Sequence, residues 1–308
     1  VVLMHDSGGD RHQTVQALDT FLPEMKADGY EFDNLTEALG APSAHTEVTG
    51  LDRWKGKAWI FLVQASDNIT GVLVVGLSVI GFLVISRFLL MLLLSGVHAR
   101  RVRRRGFRWG PQVTEPVSVL VPAYNEAKCI ENTVRSLMAS EHPIEVIVID
   151  DGSSDGTARI VEAMGLPNVR VVRQMNAGKP AALNRGLANA RYDIIVMMDG
   201  DTVFEPATVR ELVQPFADPR VGAVAGNAKV GNKNRLIGAW QHIEYVMGFN
   251  LDRRMYDVLR CMPTIPGAIG AFRREALLEV GGVSDDTLAE DTDLTMAICR
   301  TGRRVVYE

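Results

Sequence analysis

The sequence predicts an α/β domain on a mostly parallel sheet with helices on both faces, preceded by one transmembrane helix. Three observations carry this reading. From Val117 onward, strand and helix signals alternate, the pattern of repeated βαβ units. Two of the strands end in acids, Asp150-Asp151 and Asp199-Gly200-Asp201. Upstream, no charged side chain occurs between Asp67 and Arg87, a length near the ~20 residues a helix needs to cross a bilayer.

Before the apolar stretch, Val1 to Asp6 reads as a strand ending in polar residues. Gln13 to Asp28 places Val15, Leu18, Phe21, Leu22 and Met25 at helical spacing, and Gly29 stops the helix. Tyr30 to Leu39 is expected to add a short strand and turn. A piece of ~40 residues is too small to hold a core of its own. Residues 1–42 therefore read as the tail of a larger unit, joined by a linker at 43–68 to the span at 69–97. Arg100, Arg101, Arg103, Arg104, Arg105 and Arg108 follow directly, in a basic juxtamembrane segment at 98–115. This is the positive-inside signature. It puts residues after Gly106 in the cytoplasm and those before about Ser66 outside, at the plasma membrane. Arg87 either snorkels to the cytoplasmic interface, with Phe88 to Leu94 extending the helix, or faces a partner helix.

Residues 116–308 make the α/β domain. Strands are predicted at 117–121, 144–149, 169–172 and 194–198, with helices at 127–138, 156–164 and 180–190. Residues 206–215, 236–259 and 290–299 read as further helices. A chain that opens on Val1 and stops at Glu308, directly after the strand-like Arg304 to Tyr307, is expected to be a fragment at both ends. Net charge is −4, which argues against nucleic-acid binding, because phosphate neutralisation demands a basic surface. The arginine cluster already has its membrane explanation. Cys129, Cys261 and Cys299 lie far apart without metal-ligand spacing and read as ordinary thiols of a reducing compartment.

Ligands of open α/β sheets bind at the carboxyl ends of strands, so the strand-end acids are the first candidates. Asp199 and Asp201 suit a hard divalent cation, Mg²⁺ or Mn²⁺, which takes oxygen ligands and bridges phosphates. Taken alone, Asp-Gly-Asp is also an ordinary turn. Asp150 and Asp151 are placed to hydrogen-bond a base and ribose, while Ser153 and Asp155 read as caps of the next helix. Val121-Pro-Ala-Tyr-Asn-Glu126 follows the first strand, and its plainer reading is a turn with Asn125 capping a helix. Lys179 sits at a helix start, where its ammonium and the backbone N–H groups favour phosphate; a solvated lysine is the alternative. Glu290, Asp291 and Asp293 open a helix, where acids stabilise the dipole, and the sharper reading makes Asp291 a general base. Together these groups meet the needs of glycosyl transfer from a sugar nucleotide: a held nucleoside, a neutralised diphosphate and a deprotonated hydroxyl.

In order, Val121-Pro-Ala-Tyr-Asn-Glu126, Asp150-Asp-Gly-Ser-Ser-Asp155, Asn176-Ala-Gly-Lys179, Asp199-Gly-Asp201, Gly267-Ala-Ile-Gly-Ala-Phe-Arg273 and Glu290-Asp-Thr-Asp293 resemble the family 2 glycosyltransferases. Within them the match is to the processive membrane synthases of chitin, poly-N-acetylglucosamine, hyaluronan and cellulose. It runs from about Pro116 to Glu308. The resemblance implies a GT-A fold, an inverting displacement, a UDP-sugar donor and a polysaccharide acceptor passed across the lipid bilayer. It assigns the uridine contact to Asp151, metal and diphosphate to Asp199 with Asp201, and the base to Asp291. Pro122, Tyr124, Glu126, Asp150, Lys179 and Glu290 complete the substrate contacts, and Gly267, Ala268, Ile269 and Gly270 would line the acceptor site. The synthases carry a Gln-x-x-Arg-Trp motif after the base; this chain stops before one, and Trp240-Gln241 comes too early and in the wrong order. Donor binding without polymer synthesis is the expectation for such a piece.

Leu3-Met-His5-Asp6-Ser-Gly-Gly9-Asp10-Arg11, with the following helix and Gly29-Tyr-Glu-Phe32, is similar to the last strand and helix of polysaccharide deacetylases. That resemblance makes His5 the general acid toward a leaving amine, with the metal ligands upstream of Val1. A deacetylase outside and a synthase inside point to N-acetylglucosamine as the sugar. UDP-glucose and UDP-glucuronate remain open, as do a parent protein acting mainly as a deacetylase and a silent donor-binding domain.

Overall fold

Short β-branched runs such as Val117-Ser-Val-Leu-Val and Ile144-Glu-Val-Ile-Val-Ile favour strands buried on both faces. A computed structural model, describing residues 12–32, 39–40, 50–105, 109–229 and 236–308, assembles them into one sheet. His5, the expected strand at 1–6, most of the 30–39 strand and turn, and the side chains of Arg103, Arg104, Arg105 and Arg108 lie outside the described residues. The chain divides into two compact units, Val1–Ile80 and Gly81–Glu308.

In the first unit, α1 (His12–Ala27) stops where Gly29 takes a left-handed φ of 88°. Helix α2 (Gly50–Arg105) has 56 residues, roughly 84 Å at ~1.5 Å rise per residue. The expected span at 69–97 is thus the middle of a longer rod, and its apolar side chains from Ile69 to Phe82 are exposed. Within the second unit, the end of α2 docks on protein: Met91, Ser95 and His98 are buried. Arg87 donates to both carboxylate oxygens of Asp252 at 3.1 and 3.2 Å, so a partner helix receives it.

Among the described residues seven strands form the sheet, in the order β3-β2-β1-β4-β6-β5-β7. They are β1 (Val117–Ala123), β2 (Ile144–Asp150), β3 (Val169–Arg173), β4 (Ile194–Met197), β5 (Val221–Ala225), β6 (Gly270–Arg273) and β7 (Arg304–Tyr307). The first four lie where the sequence places them and pair in parallel. The sequence reading misses β5 and β6, and β6 runs antiparallel to both β4 and β5. Successive residues of β1 face opposite sides: Val119 and Val121 meet α3 (Ile130–Met138), whereas Leu120 meets α5 (Lys179–Asn189). Each such side chain withdrawn from water contributes about 1.5–3 kcal/mol, which fixes the register. Helix α4 (Thr157–Ala163) and α6 (Thr208–Val213) cover the α3 side; α9 (Arg274–Glu279) and α10 (Glu290–Arg300) cover the other. The predicted helix at 236–259 is α7 (Leu236–Tyr245), one wide turn at Val246–Leu251, and α8 (Asp252–Leu259).

Register decides where chemistry gathers. Ala123 pairs with Asp150, and Met197 with Gly270. Because β6 is antiparallel, its first residue sits at the edge where β1, β2 and β4 end. Residues 124–126, 151–155, 198–201 and 266–269 therefore emerge from one rim of the sheet.

Candidate active site

Two of the rim loops are sewn together. Asn125 adopts a left-handed φ of 58°, a conformation Asn tolerates better than most residues. Its N–H donates to Ser153 Oγ at 2.9 Å, and its Oδ1 accepts the Ser154 N–H at 2.9 Å. The N–H of Glu126 donates to Thr157 Oγ1, and that of Ala127 to Asp155 Oδ2, both at 2.9 Å. Asn125 and Ser153 are thus loop-to-loop ties, and α3 begins after Cys129 without a side-chain cap. Asp155 serves both purposes, its Oδ1 also accepting the N–H of Thr157, the first residue of α4, at 3.0 Å as expected of a helix-start acid.

Asp150 is buried and accepts the Ser153 N–H at 3.1 Å. Asp151, also buried, accepts from Gln174 Nε2 at 2.8 Å and from the Ala177 and Gly178 N–H groups at 2.9 Å each. Its carboxylate pins the strap that ends on Lys179, the first residue of α5.

Pro122, Tyr124, Glu126, Asp151, Lys179, Asp199 and Asp201 share one cleft of about 280 Å³. Lys179 Nζ lies 2.8 Å from Asp199 Oδ1 and 3.4 Å from Glu290 Oε1. Gly267 lies against the same lysine, beside an adjoining cavity that Lys179 also lines: a Cβ there would stand 2.6 Å from Lys179 Nζ and 2.8 Å from Asp291 Oδ2. Lys179 and Asp291 therefore flank one turn. Thr295 Oγ1, fully buried, donates to the Asp291 carbonyl at 2.6 Å and accepts the Ile265 N–H at 2.9 Å. That bridge ties the turn to α10.

Charge is unevenly balanced here. Burial raises the pKa of Asp291; Lys179 and the Gly267 N–H oppose the rise, while Glu290 and Asp199 add to it. Glu126 is raised by burial and then by the charges of Asp201, Asp155 and Asp199. Burial pulls Lys179 down, but its hydrogen bond to Asp199 and the charges of Asp199, Asp291 and Glu290 leave it raised.

Among the described residues, no three His, Cys, Asp or Glu side chains close on a point able to hold a metal ion. Asp199 and Asp201 offer oxygen ligands only, the donor set of Mg²⁺ or Mn²⁺, and their charge is what Glu126 feels. The pair would suit a hard divalent cation by the chemistry of its oxygen donors.

Not every predicted residue reaches the cleft. Ile269 is buried in the core, and Gly270 belongs to β6, where a Cβ would stand 2.6 Å from Ile265 Cγ2. Of the predicted acceptor stretch, Gly267 faces Lys179 and Asp291, and Ala268 is half-buried beside it. Gln174 and Thr295, which hold Asp151 and the Asp291 turn in place, are residues the sequence reading passes over. Thr295 stands one helical turn after Asp291, the spacing of side-chain-to-backbone bonds, which is the signal that could have found it. Gln174 carries no such mark.

The family model described as Glycosyl transferase family 2 matches residues 118–281, just over half of the 308 residues. The chain belongs to that family. This glycosyltransferase chain is 33% identical over 198 residues to the poly-beta-1,6-N-acetyl-D-glucosamine synthase of Staphylococcus aureus (strain COL), covering 63% of the chain and 48% of that protein. It is 32% identical over 201 residues to the synthase of the same name from Staphylococcus epidermidis, covering 64% and 49%. The chain thus spans about half the length of the curated relatives it matches. Among solved structures, it resembles the mannosyltransferase PcManGT from Pyrobaculum calidifontis in complex with GDP-Man and Mn²⁺. The TM-score is 0.59 at 29% identity, over 72% of this chain and 63% of that one. The mostly parallel sheet with antiparallel β6 is accordingly of GT-A type, as the motif series implies.

Proposed function

We propose that this glycosyltransferase moves N-acetylglucosamine from UDP-N-acetylglucosamine to the hydroxyl of a growing β-linked polysaccharide at the plasma membrane. Residues 69–97 cross the bilayer in this reading, with the transferase domain in the cytoplasm. One observation carries it: Lys179 faces Asp199 and Glu290 on one side and the Gly267 turn that abuts Asp291 on the other, so diphosphate and base serve one bound molecule. The relatives named for a poly-N-acetylglucosamine polymer support the choice of sugar.

The acceptor oxygen attacks the anomeric carbon from the face opposite the leaving group, forming the new glycosidic bond with inversion. The bond from that carbon to the phosphate oxygen breaks, and UDP departs with the electron pair. Asp291 takes the acceptor proton; its raised pKa makes it a stronger base than an exposed carboxylate. Lys179 presents its ammonium to the phosphates. Asp151 holds the strap bearing Lys179 and, lining the same cleft, contacts the uridine of a nucleoside that lies along Pro122 and Tyr124. Held by Asp199 and Asp201, Mg²⁺ or Mn²⁺ would neutralise charge on the leaving diphosphate.

The test is a donor panel on full-length protein in membranes, comparing UDP-N-acetylglucosamine, UDP-glucose and UDP-glucuronate by UDP release and polymer analysis. The expected outcome is a clear preference for the first. Preference for another donor overturns the sugar assignment, and turnover of none overturns the activity.

A further inference from the structure

The cleft holds one ammonium against several carboxylates, and its position is specific. Lys179 Nζ contacts Asp199 Oδ1 at 2.8 Å, on one of the two carboxylates assigned to the cation. Asp201, two residues on, takes part in no ion pair among the described residues. The side chains of Lys179 and Asp199 are only 32% and 36% exposed, so water screens their attraction incompletely. Gly267 backs the ammonium with no room for a Cβ. At the other end, Gly178 is pinned by Asp151. Backbone anchoring leaves only the flexible lysine stem free to swing.

An ammonium on Asp199 Oδ1 weakens a divalent cation's hold on the same carboxylate, because like charges a few ångströms apart repel in a half-buried site. Resting on the cation reading of Asp199 and Asp201, we propose that Lys179 is a built-in counter-ion. It keeps free divalent cations off Asp199 until a nucleoside diphosphate arrives and draws the ammonium onto its phosphates. The exchange is near-balanced for the lysine, which trades one charge-assisted hydrogen bond, to carboxylate, for another, to phosphate. No covalent bond changes. Asp199 is released only when the phosphate oxygens that complete the cation's coordination are in place, so cation and diphosphate enter as a pair.

The experiment is a Mn²⁺ titration read by the electron paramagnetic resonance signal of the free ion, on the whole chain, with and without UDP. Lys179→Gln and Lys179→Met are compared with the unmodified protein, and circular dichroism confirms folding. The unmodified protein should bind Mn²⁺ weakly alone and about 100-fold more tightly with saturating UDP. Both variants should bind Mn²⁺ without UDP about tenfold more tightly than the unmodified protein, and the enhancement by UDP should shrink by at least that factor. Mn²⁺ affinity without UDP that is unchanged or weaker in the variants, while UDP still promotes binding to the unmodified protein, overturns the counter-ion role alone. Asp201→Ala separates the two readings: if it leaves UDP-dependent Mn²⁺ binding intact, the cation site itself is misplaced and the proposal falls with it. Should both lysine variants unfold, acetylation of Lys179 followed by mass spectrometry on the unmodified chain decides. Its rate should ignore Mn²⁺ alone and change with UDP plus Mn²⁺; a change with Mn²⁺ alone refutes the idea.

Discussion

Adding one methyl group at Gly267 tests the geometry most directly. A Cβ there would stand 2.6 Å from Lys179 Nζ and 2.8 Å from Asp291 Oδ2, against the 3.4 Å at which ordinary contact begins. Gly267→Ala therefore drives the ammonium back by about 0.8 Å (3.4 less 2.6) and the carboxylate by about 0.6 Å (3.4 less 2.8). Misplacing reacting groups by ~1 Å costs on the order of 10²-fold in rate, or about 2.7 kcal/mol. The variant should stay folded, since Gly267 is half-buried, has no left-handed φ, and faces the mobile end of a lysine. The assay is UDP release from UDP-N-acetylglucosamine by full-length protein, beside calorimetric UDP binding and a thermal melt. The expected pattern is kcat down about 10²-fold, UDP affinity within roughly fivefold and an unchanged melting temperature. Turnover at the unmodified rate would show that base and ammonium do not depend on this turn, and the mechanism would lose its geometric basis.

Asp291→Asn keeps the shape and the Gly267 contact but removes the base, so kcat should fall about 10²–10⁴-fold with UDP affinity nearly retained; preserved turnover excludes Asp291. Because an ionised Asp291 is the active form and its pKa is raised by burial, activity should fall on the acid side at a higher pH than an ordinary aspartate would set. A pH–rate profile flat down to the ordinary carboxylate range counts against the assignment. Asp151→Ala leaves the Ala177 and Gly178 N–H groups without their acceptor and should destabilise the chain by about 2–4 kcal/mol. Hydrogen exchange should quicken at those amides first, and unchanged protection there would contradict the strap. Asp218, held at about 2 chiefly by its hydrogen bond to Arg220, contributes stability that is present above its ordinary pKa and lost as pH falls toward about 2. Asp218→Asn should remove that part of the acid-unfolding slope, as followed by circular dichroism.

Much of the site was legible because strand-end acids in a parallel sheet must share a rim, and the four strands that carry them are strongly patterned. The missed strands lack that signal. Val221-Gly-Ala-Val-Ala has little bulk, and Gly270-Ala-Phe-Arg is short; both form because neighbours from distant sequence pair with them. Missing β6 also blurred the acceptor stretch. In a strand successive residues alternate faces, and where the turn ends and the strand begins decides that Gly267 meets the cleft while Ile269 enters the core. Capping rules led Asn125 and Ser153 astray for a different reason. A short polar side chain satisfies a helix end or a neighbouring loop equally well, and only the fold brings the second loop within reach. For Arg87, the sequence leaves two options, and the structure supplies a partner on another helix in Asp252, 165 positions away.

Between β5 and β6 the chain leaves the sheet at Gly226 and returns at Ile269, where the N–H of the first donates to the carbonyl of the second at 3.3 Å. A side chain on Gly226 would collide with Ile269 at 2.5 Å, so the two ends of this excursion are cinched like the neck of a purse. Lengthening such a loop adds entropy cost only logarithmically. Changes of length at the start of that excursion, before Leu236, should therefore be absorbed without moving Asp291, while Gly267 stays held through the Ile265 bond to Thr295. Chain length can thus vary at that point while the Thr295 bridge keeps Asp291 beside the Gly267 turn.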